Sequence, residues 1–439
     1  MMVGGSHMLK IGMISLGCAK NLVDSEEMLG MFRQGDYEIV NQPEQADVIV
    51  VNTCGFIESA KQESIDTILE VCQYGKKVVV TGCLVQRYLD ELKKEIPEVD
   101  LWVPIRDYAH LPELINSLME NEQISNGLCP TRRILTTPKF TAYLKISDGC
   151  DNRCTYCAIP LIRGGFHSIL IDELCQTAES LIQKGISELV VISQDTTRYG
   201  TDLENNGNIC DLLKRLLAYP ELKYIRLLYL YPDEISEELL ELIAKEPRLT
   251  PYFDVPIQHA SSSILASMHR RGDQTYLRNL FHHIREVVPN AILRTTLIVG
   301  FPGETEKDFQ ELVDFVKEIR FDHLGVFPYS PEDGTSSSSY PQQIEESVKQ
   351  NRYEKIMKVQ RVIAYQNNQK QIGKTMRGLV TSPKKNGTYE FRSGWNAPDD
   401  IDGKIFIKSD VSLSLGQEIE VEIQEAFGYD LYGILKKVL

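Results

Sequence analysis

Three short runs dense in Val and Ile open the chain, and each precedes an amphipathic stretch: Lys10–Ser15 before Asp24–Gln34, Asp47–Asn52 before Ile57–Gln73, and Lys77–Thr81 before Leu84–Glu95. Strands that are apolar on both faces must be covered on both faces, so the alternation predicts a parallel sheet with helices packed on each side. Residues 9–120 therefore read as a doubly wound α/β domain. Residues 120–140, with Asn, Gly, Pro and Thr-Thr-Pro, break the pattern and read as a linker. A second, longer series of six βα units occupies residues 136–366. Its expected strands are Thr141–Ile146, Leu189–Ser193, Tyr224–Tyr229, Tyr252–Val255, Ile292–Val299 and Leu324–Tyr329, separated by helices such as Ile171–Lys184 and Glu306–Ile319. Six units fall short of the eight of a closed barrel, so a partial barrel is expected. A long charged helix, Ile344–Gln371, leads into residues 368–439, where the alternation switches to period two and predicts a small all-β barrel.

A chain of 439 residues fits two to four domains. Its first eight residues, MMVGGSHM, read as an expression remnant and are set aside. Lys10–Ser15 has neither the charged flank nor the long apolar core of a signal peptide. No apolar run approaches the roughly 20 residues that span a bilayer, so no membrane partner and a cytoplasmic location are expected. In that reducing compartment, clustered cysteines point to metal or catalysis rather than to disulfides. The formal charge of −15 argues against non-specific nucleic-acid binding and favours a basic partner.

The ten cysteines contain two constellations. Ser147-Asp-Gly-Cys150-Asp-Asn-Arg-Cys154-Thr-Tyr-Cys157 sets three thiols in eight residues just past a predicted strand. Structural zinc wants four ligands, and here only the distant His167 could complete a set. A four-iron cluster is held by thiolates, and three of them would leave one iron open to chelate a small molecule. Ligands of parallel α/β sheets bind beyond the carboxyl ends of the strands. Gln194, Asp195, Arg294 and the turn Gly300-Phe-Pro-Gly-Glu-Thr305 would converge there, and each is a candidate cofactor contact. His259 reads as a packed polar residue. The second constellation is Cys18, Cys54 and Cys83, each just past one of the three N-terminal strands. In a parallel sheet those positions share one edge, and they predict a second cluster site, again one ligand short. Cys72, Cys129, Cys175 and Cys210 show no such relation.

The Cys-x-x-x-Cys-x-x-Cys spacing with Tyr156 closely resembles the signature of the radical S-adenosylmethionine superfamily. There the open iron binds the amino and carboxylate groups of the cofactor, and reductive cleavage yields a 5′-deoxyadenosyl radical. Two three-cysteine sites followed by a β-barrel resemble the methylthiotransferase family within it. The resemblance implies a flavodoxin-like N-terminal domain with an auxiliary 4Fe-4S cluster on Cys18, Cys54 and Cys83. It also implies a radical core with a second 4Fe-4S cluster on Cys150, Cys154 and Cys157, and a terminal TRAM domain. One branch of the family modifies an adenosine of tRNA, the other an aspartate of ribosomal protein S twelve. Gly17-Cys-Ala-Lys-Asn-Leu-Val-Asp-Ser-Glu26, Ser193-Gln-Asp-Thr-Thr-Arg-Tyr-Gly200, Phe253-Asp-Val-Pro-Ile-Gln-His-Ala260, Ala397-Pro-Asp-Asp-Ile-Asp-Gly403 and Tyr429-Asp-Leu-Tyr-Gly433 resemble the ribosomal branch. That branch implies addition of a methylthio group to the β-carbon of the aspartate, with an external electron donor and a sulfur source. The terminal domain carries ten basic and ten acidic residues, which does not suit a tRNA grip, so tRNA binding is not expected. Two departures stand out. After Arg163-Gly164, His167 and Ile169 replace two arginines usual in the family, and Ser262 replaces an acidic residue.

Overall fold

The computed structural model describes residues 8–34, 37–120, 132–204, 207–383 and 387–439. The presumed remnant up to His7, Cys129 and residues 121–131 of the expected linker lie outside the described residues.

The chain begins β1 (Leu9–Ser15), α1 (Ala19–Gln34), β2 (Tyr37–Val40), β3 (Val48–Thr53), α2 (Glu58–Cys72), β4 (Lys77–Gly82), α3 (Cys83–Glu95), β5 (Leu101–Val103) and α4 (Leu111–Leu118). The five strands form a wholly parallel sheet in the order β2-β1-β3-β4-β5. Every residue of central β3 is buried, as its two covered faces require. The edge strands β2 and β5 are additions to the three expected, because four and three residues carry too little periodicity to stand out. Helix α1 starts five residues ahead of its predicted beginning. Lys20 and Asn21 precede the predicted helix and Asp24 opens it, yet all three are buried, with Lys20 and Asp24 against the next domain.

That domain runs β6 (Thr141–Lys145), β7 (Ser147–Asp148), α5 (Ile159–Arg163), β8 (His167–Ser168), α6 (Ile171–Gln183), β9 (Glu188–Ile192), α7 (Ile209–Leu216), β10 (Tyr224–Leu227), α8 (Glu237–Lys245), β11 (Tyr252–Asp254), α9 (Ser262–Ser267), α10 (Gln274–Val287), β12 (Ile292–Val299), α11 (Glu306–Ile319) and β13 (His323–Pro328). Two parallel three-stranded sheets, β6-β9-β10 and β11-β12-β13, meet through backbone bonds from Leu230 to Asp254 and from Thr250 to Ile225. The result is the expected partial barrel. Alternate side chains such as Leu144, Leu189 and Val191 face the helices. Their neighbours Tyr143, Val190, Ile192 and Leu228 face inward, where they pack with Ala19 and Val23 of α1 and with Trp395 and Ala397 of the last domain.

Helix α12 (Glu346–Gln369) leads to β14 (Thr375–Pro383), β15 (Thr388–Ser393), β16 (Ile405–Lys408), β17 (Glu418–Phe427) and β18 (Asp430–Val438), which close a barrel in the order β14-β15-β16-β18-β17. It docks on the partial barrel through Arg392 on Glu188 at 3.0 Å, Tyr252 Oη donating to Asp402 at 2.6 Å, and His323 Nε2 donating to the Trp395 carbonyl at 2.7 Å. The first domain is clamped from the other side by Arg133 on Glu26 and by Lys61 and Arg87 on Glu332. No helix among the described residues is long and apolar enough to cross a membrane.

Candidate active site

Strand ends in a parallel sheet release the chain into helix starts, and all three N-terminal thiols sit at such a junction. Cys18 immediately precedes α1, Cys54 follows β3, and Cys83 is the first residue of α3. Gly17 turns the chain at φ +87°, and a side chain there would press within 2.9 Å of Cys54 Sγ, so the turn before Cys18 lies directly against Cys54. Gly82 does the same before Cys83 at φ +104°, with its Cα against the Thr53 backbone. Cys54 is held by a reciprocal pair with Ser64, whose Oγ accepts from Cys54 N at 3.1 Å and donates to Cys54 O at 2.9 Å. Cys18 is exposed while Cys54 and Cys83 are buried. Burial pushes the Cys83 thiol up to about 12 even though the Arg163 guanidinium opposes it, and charge on Cys18 and Cys54 adds to the rise. The three thiols thus feel one another, and the helix starts beside them favour anionic occupants.

The second set is built differently. Gly149, at φ +72°, lets the loop pass so close to Gly165 that no side chain fits, and Cys150 N donates to the Gly164 carbonyl at 3.2 Å. Arg153 adopts φ +50°, which bends the loop between Cys150 and Cys154. Thr155 anchors it to α9 and its C-terminal turn through bonds to Met268 and Ser267, and Asn152 Nδ2 donates to Asp195 Oδ2 at 2.7 Å. Cys157 Sγ accepts from Ile159 N at 3.5 Å, and Cys154 Sγ meets Tyr231 Oη at 3.6 Å. Burial raises Cys157 to about 12 and Cys150 to about 11, each with a contribution from its sister thiols. The Arg270 guanidinium, stacked 3.9 Å above the Tyr231 ring, supplies positive charge beside Cys154.

The elements that carry the two sets meet along an ionic seam. Cys83 packs against Ala158 and Ile162, so α3 touches the helix that begins two residues after Cys157. At the far end of that helix Arg163 donates to Asn21 Oδ1 at 2.8 Å, pairs with Asp24 at 2.6 Å and Asp148 at 3.1 Å, and lies 3.8 Å from Cys83 Sγ. Lys145 closes the seam from below, at 2.5 Å from Asp24 and 3.4 Å from Asp148. Burial disfavours the charged form of Asp148, but Lys145 and Arg163 outweigh it and hold the carboxyl down at about 2.

The predicted contacts separate accordingly. Gln194 donates to Asp148 Oδ1 at 3.1 Å, while its Oε1 is buried without a partner and free to accept from a ligand. The Asp195 carboxylate is committed to Asn152 and Thr197, so it holds the cysteine loop in place. The Tyr156 ring packs with Ile264, Met268, Phe301 and Tyr329 and walls the loop off from solvent. Arg294 is held elsewhere: its guanidinium pairs with Asp254 at 2.6 Å and lies 3.7 Å from Asp402, inside the barrel. His259 is fully buried and packed as expected, accepting from Ser261 N at 2.9 Å. His167 projects into solvent near Asp202, which removes the fourth ligand of the zinc alternative. Where the family acid is replaced by Ser262, neighbouring Ser261 and Ser263 both donate to Asp308. Arg270, Lys20 and Asn152 are the site residues that the sequence hides. Each looks like an ordinary loop or surface residue until tertiary packing places it.

Among the described residues no three His, Cys, Asp or Glu side chains close on a single metal ion. Three thiols spread over a loop or over three strand ends suit the corners of a larger thiolate-held cluster, and the unpartnered Gln194 Oε1 beside them suits a polar cofactor.

Three family models match the chain: Uncharacterized protein family UPF0004 over residues 10–104, the Radical SAM superfamily over 144–316, and the TRAM domain over 372–435. The ribosomal protein uS12 methylthiotransferase RimO of Alkaliphilus oremlandii (strain OhILAs) is 44% identical, over 97% of this chain and 99% of its own. The protein of the same name in Clostridioides difficile (strain 630) is 45% identical, over 97% and 98%. Among solved structures, the radical S-adenosylmethionine methyltransferase TsrM from Kitasatospora setae, with cobalamin and a [4Fe-4S] cluster bound, superposes with a TM-score of 0.56. At 14% identity, covering 90% of this chain and 82% of TsrM, it is similar in fold.

Proposed function

The chain belongs to the RimO family of radical S-adenosylmethionine methylthiotransferases, and from that premise we propose that Cys150, Cys154 and Cys157 hold the cluster that engages the cofactor while Cys18, Cys54 and Cys83 hold the auxiliary one. The reaction is addition of a methylthio group to the β-carbon of an aspartate in ribosomal protein uS12. The observation that carries this reading is the seam itself: Arg163 lies 3.8 Å from Cys83 Sγ of one set and pairs with Asp148, two residues before Cys150 of the other. When bound, two four-iron clusters and S-adenosylmethionine supply an electron, a radical able to activate a C–H bond, and a methyl group.

The chain's own residues position and shield. Gln194 Oε1 offers an acceptor to the cofactor, Arg270 offsets thiolate charge at Cys154, and Tyr156 excludes water from behind the loop. Asp195 acts through Asn152 on the loop's shape. Arg294 belongs to the frame joining the barrel to the terminal domain. The working units in this reading are residues 9–120, 136–366 and 368–439, acting in the cytoplasm with an external electron donor and a sulfur source. The adenosine of tRNA, the alternative substrate, finds no support in the relatives' names.

Reconstituted enzyme, uS12, dithionite and S-adenosylmethionine should give uS12 heavier by one methylthio group, located on aspartate by fragmentation. Unmodified uS12 beside intact clusters and normal cofactor cleavage would sink the substrate assignment.

A further inference from the structure

Lys20 lies in the mouth of the partial barrel, on the first turn of α1 and two residues after Cys18. Its ammonium is buried, with the residue 8% exposed. Its Nζ donates to the Ser193 carbonyl at 3.2 Å and sits 3.5 Å above the centre of the Tyr229 ring. An ammonium has three N–H donors, and one carbonyl with one ring face leaves it short of an anion. The carboxylates whose charge reaches it, Asp148 and Asp254, are engaged with other cations: Asp148 with Lys145 and Arg163, Asp254 with Arg294. No Asp or Glu among the described residues comes within ion-pair distance of Lys20, although the chain carries 62 of them. The Cys18 thiol two residues away is the strongest anionic influence on it, yet no carboxylate among the described residues partners it directly. A buried ammonium so sparsely paired is expensive to maintain, which suits a position kept for an acidic occupant.

The support beneath it is strained in the same direction. Tyr229 adopts φ +61°, a conformation bulky residues avoid. It is pinned there by its N–H on Asp254 Oδ2 at 2.9 Å and by Thr196 N on its carbonyl at 3.0 Å. Strain of this kind persists only where the surroundings over-determine it, and it concentrates at functional sites. Ser193 and Tyr229 end neighbouring strands on the ligand side of the sheet, and Cys18 beside them is exposed.

We infer that Lys20 receives the side-chain carboxylate of the substrate aspartate, the cation–ring pair holding its β-carbon between the two thiol sets. This rests on the uS12 reading above and makes Lys20 the residue that distinguishes an acidic side chain from its neutral amide. The Tyr229 ring and the Ser193 carbonyl occupy two sides of the ammonium, and the nearby Cys18 is exposed.

The test measures binding of recombinant uS12 to the reconstituted holoenzyme, with uS12 carrying either the target aspartate or asparagine there. Wild-type enzyme should prefer the aspartate form by about 10- to 100-fold, the range of a buried charge-assisted hydrogen bond. Lys20→Met should erase that preference, and Lys20→Arg should retain part of it. Iron content and the electron paramagnetic resonance spectra of both clusters report whether each variant is folded and loaded. An undiminished preference in Lys20→Met overturns the inference. So does an erased preference in which Lys20→Met also changes the auxiliary spectrum or the affinity for S-adenosylmethionine, because Lys20 would then serve a cofactor. If wild-type enzyme neither binds nor modifies uS12, the substrate reading itself has failed, a result separate from loss of preference in an active enzyme.

Discussion

The two thiol sets, each proposed to hold one cluster, are built on opposite structural principles. Cys150, Cys154 and Cys157 lie within one eight-residue loop, so much of their geometry is written in local backbone: Gly149, the bend at Arg153 and the bond from Ile159 to Cys157. Cys18, Cys54 and Cys83 share no local segment and meet only because β1, β3 and β4 are adjacent and parallel. The loop sets its ligands within one segment that the barrel then anchors at Asn152 and Thr155, whereas the strand-end set exists only when the first sheet is assembled. The strand-end set is thus a property of a fold and the loop set a property of a motif.

The largest effects come from removing each set. Replacing Cys150, Cys154 and Cys157 with alanine should lower iron from about eight to about four per chain and abolish cleavage of S-adenosylmethionine. Replacing Cys18, Cys54 and Cys83 should also halve the iron, yet leave cleavage detectable while methylthiolated uS12 disappears. Iron analysis with product quantification by mass spectrometry reads both. If either triple variant loses all its iron, the sites are one assembly and the contrast between them collapses.

Next in size is the residue that joins them. Arg163 is almost fully buried and touches Asn21, Asp24 and Cys83 on one side and Asp148 on the other. Arg163→Gln leaves Asp24 and Asp148 to share Lys145 alone, so it should cost only part of the roughly 3–5 kcal/mol of a fully broken buried pair. Arg163→Lys restores charge but not the forked geometry and should recover only part of it. Both cluster spectra should shift in Arg163→Lys, because the side chain touches Cys83 directly and holds Asp148 at the root of the Cys150 loop. A shift confined to one cluster would mean that the seam does not couple them.

This contrast also governs what could be read from the chain before its structure. The loop triad was legible because its ligands are spaced on one segment, and the strand-end triad because Val- and Ile-rich runs announce where strands stop. The three domains, the six-stranded partial barrel and the closed terminal barrel followed from switches of periodicity. What stayed hidden is tertiary. Lys20 and Asp24 are polar residues buried by a neighbouring domain, and the edge strands β2 and β5 are too short to show a pattern. Arg270 sits beside Arg271 and Gly272 like any surface turn, although its guanidinium is folded onto Tyr231. Arg294 lies within a strand that the sequence does predict, but the register that sets it beside Asp254 is tertiary and could not be read from the chain.

A matched pair of glycines sharpens the comparison further. Gly82, at φ +104°, abuts the Thr53 backbone, and Gly149, at φ +72°, abuts Gly165. Alanine at either forces a side chain into occupied space and an unfavourable backbone conformation, a penalty of about 1–3 kcal/mol. Gly82→Ala should deplete the auxiliary cluster and lower the melting temperature, because the strand end it distorts is part of the sheet. Gly149→Ala should deplete the radical cluster with a smaller change in melting temperature, since a loop can relax. Equal thermal losses would show that the loop is as deeply integrated as the strand ends.

The smallest effect asks whether the two sets, so different in construction, sit in equally dry surroundings. Burial raises Cys83 and Cys157 alike to about 12, from an ordinary value near 9.0. A thiol whose folded value lies above its unfolded value keeps its proton in the fold after the unfolded chain has lost it. The native state then binds more protons than the unfolded state above about pH 9, so the stability of iron-free protein must fall as pH rises from there towards about 12. Each thiol contributes about 1 kcal/mol of that loss at pH 10. Urea unfolding of the iron-free protein across this range should therefore show a slope that Cys83→Ala and Cys157→Ala flatten by similar amounts. In the loaded protein the slope should vanish at both positions, because a metal-bound thiolate has no proton left to lose. Flattening by Cys83→Ala alone would mean that water reaches the loop and not the sheet edge. The motif would then owe its thiols' reactivity to exposure, and the fold would owe its own to Arg163.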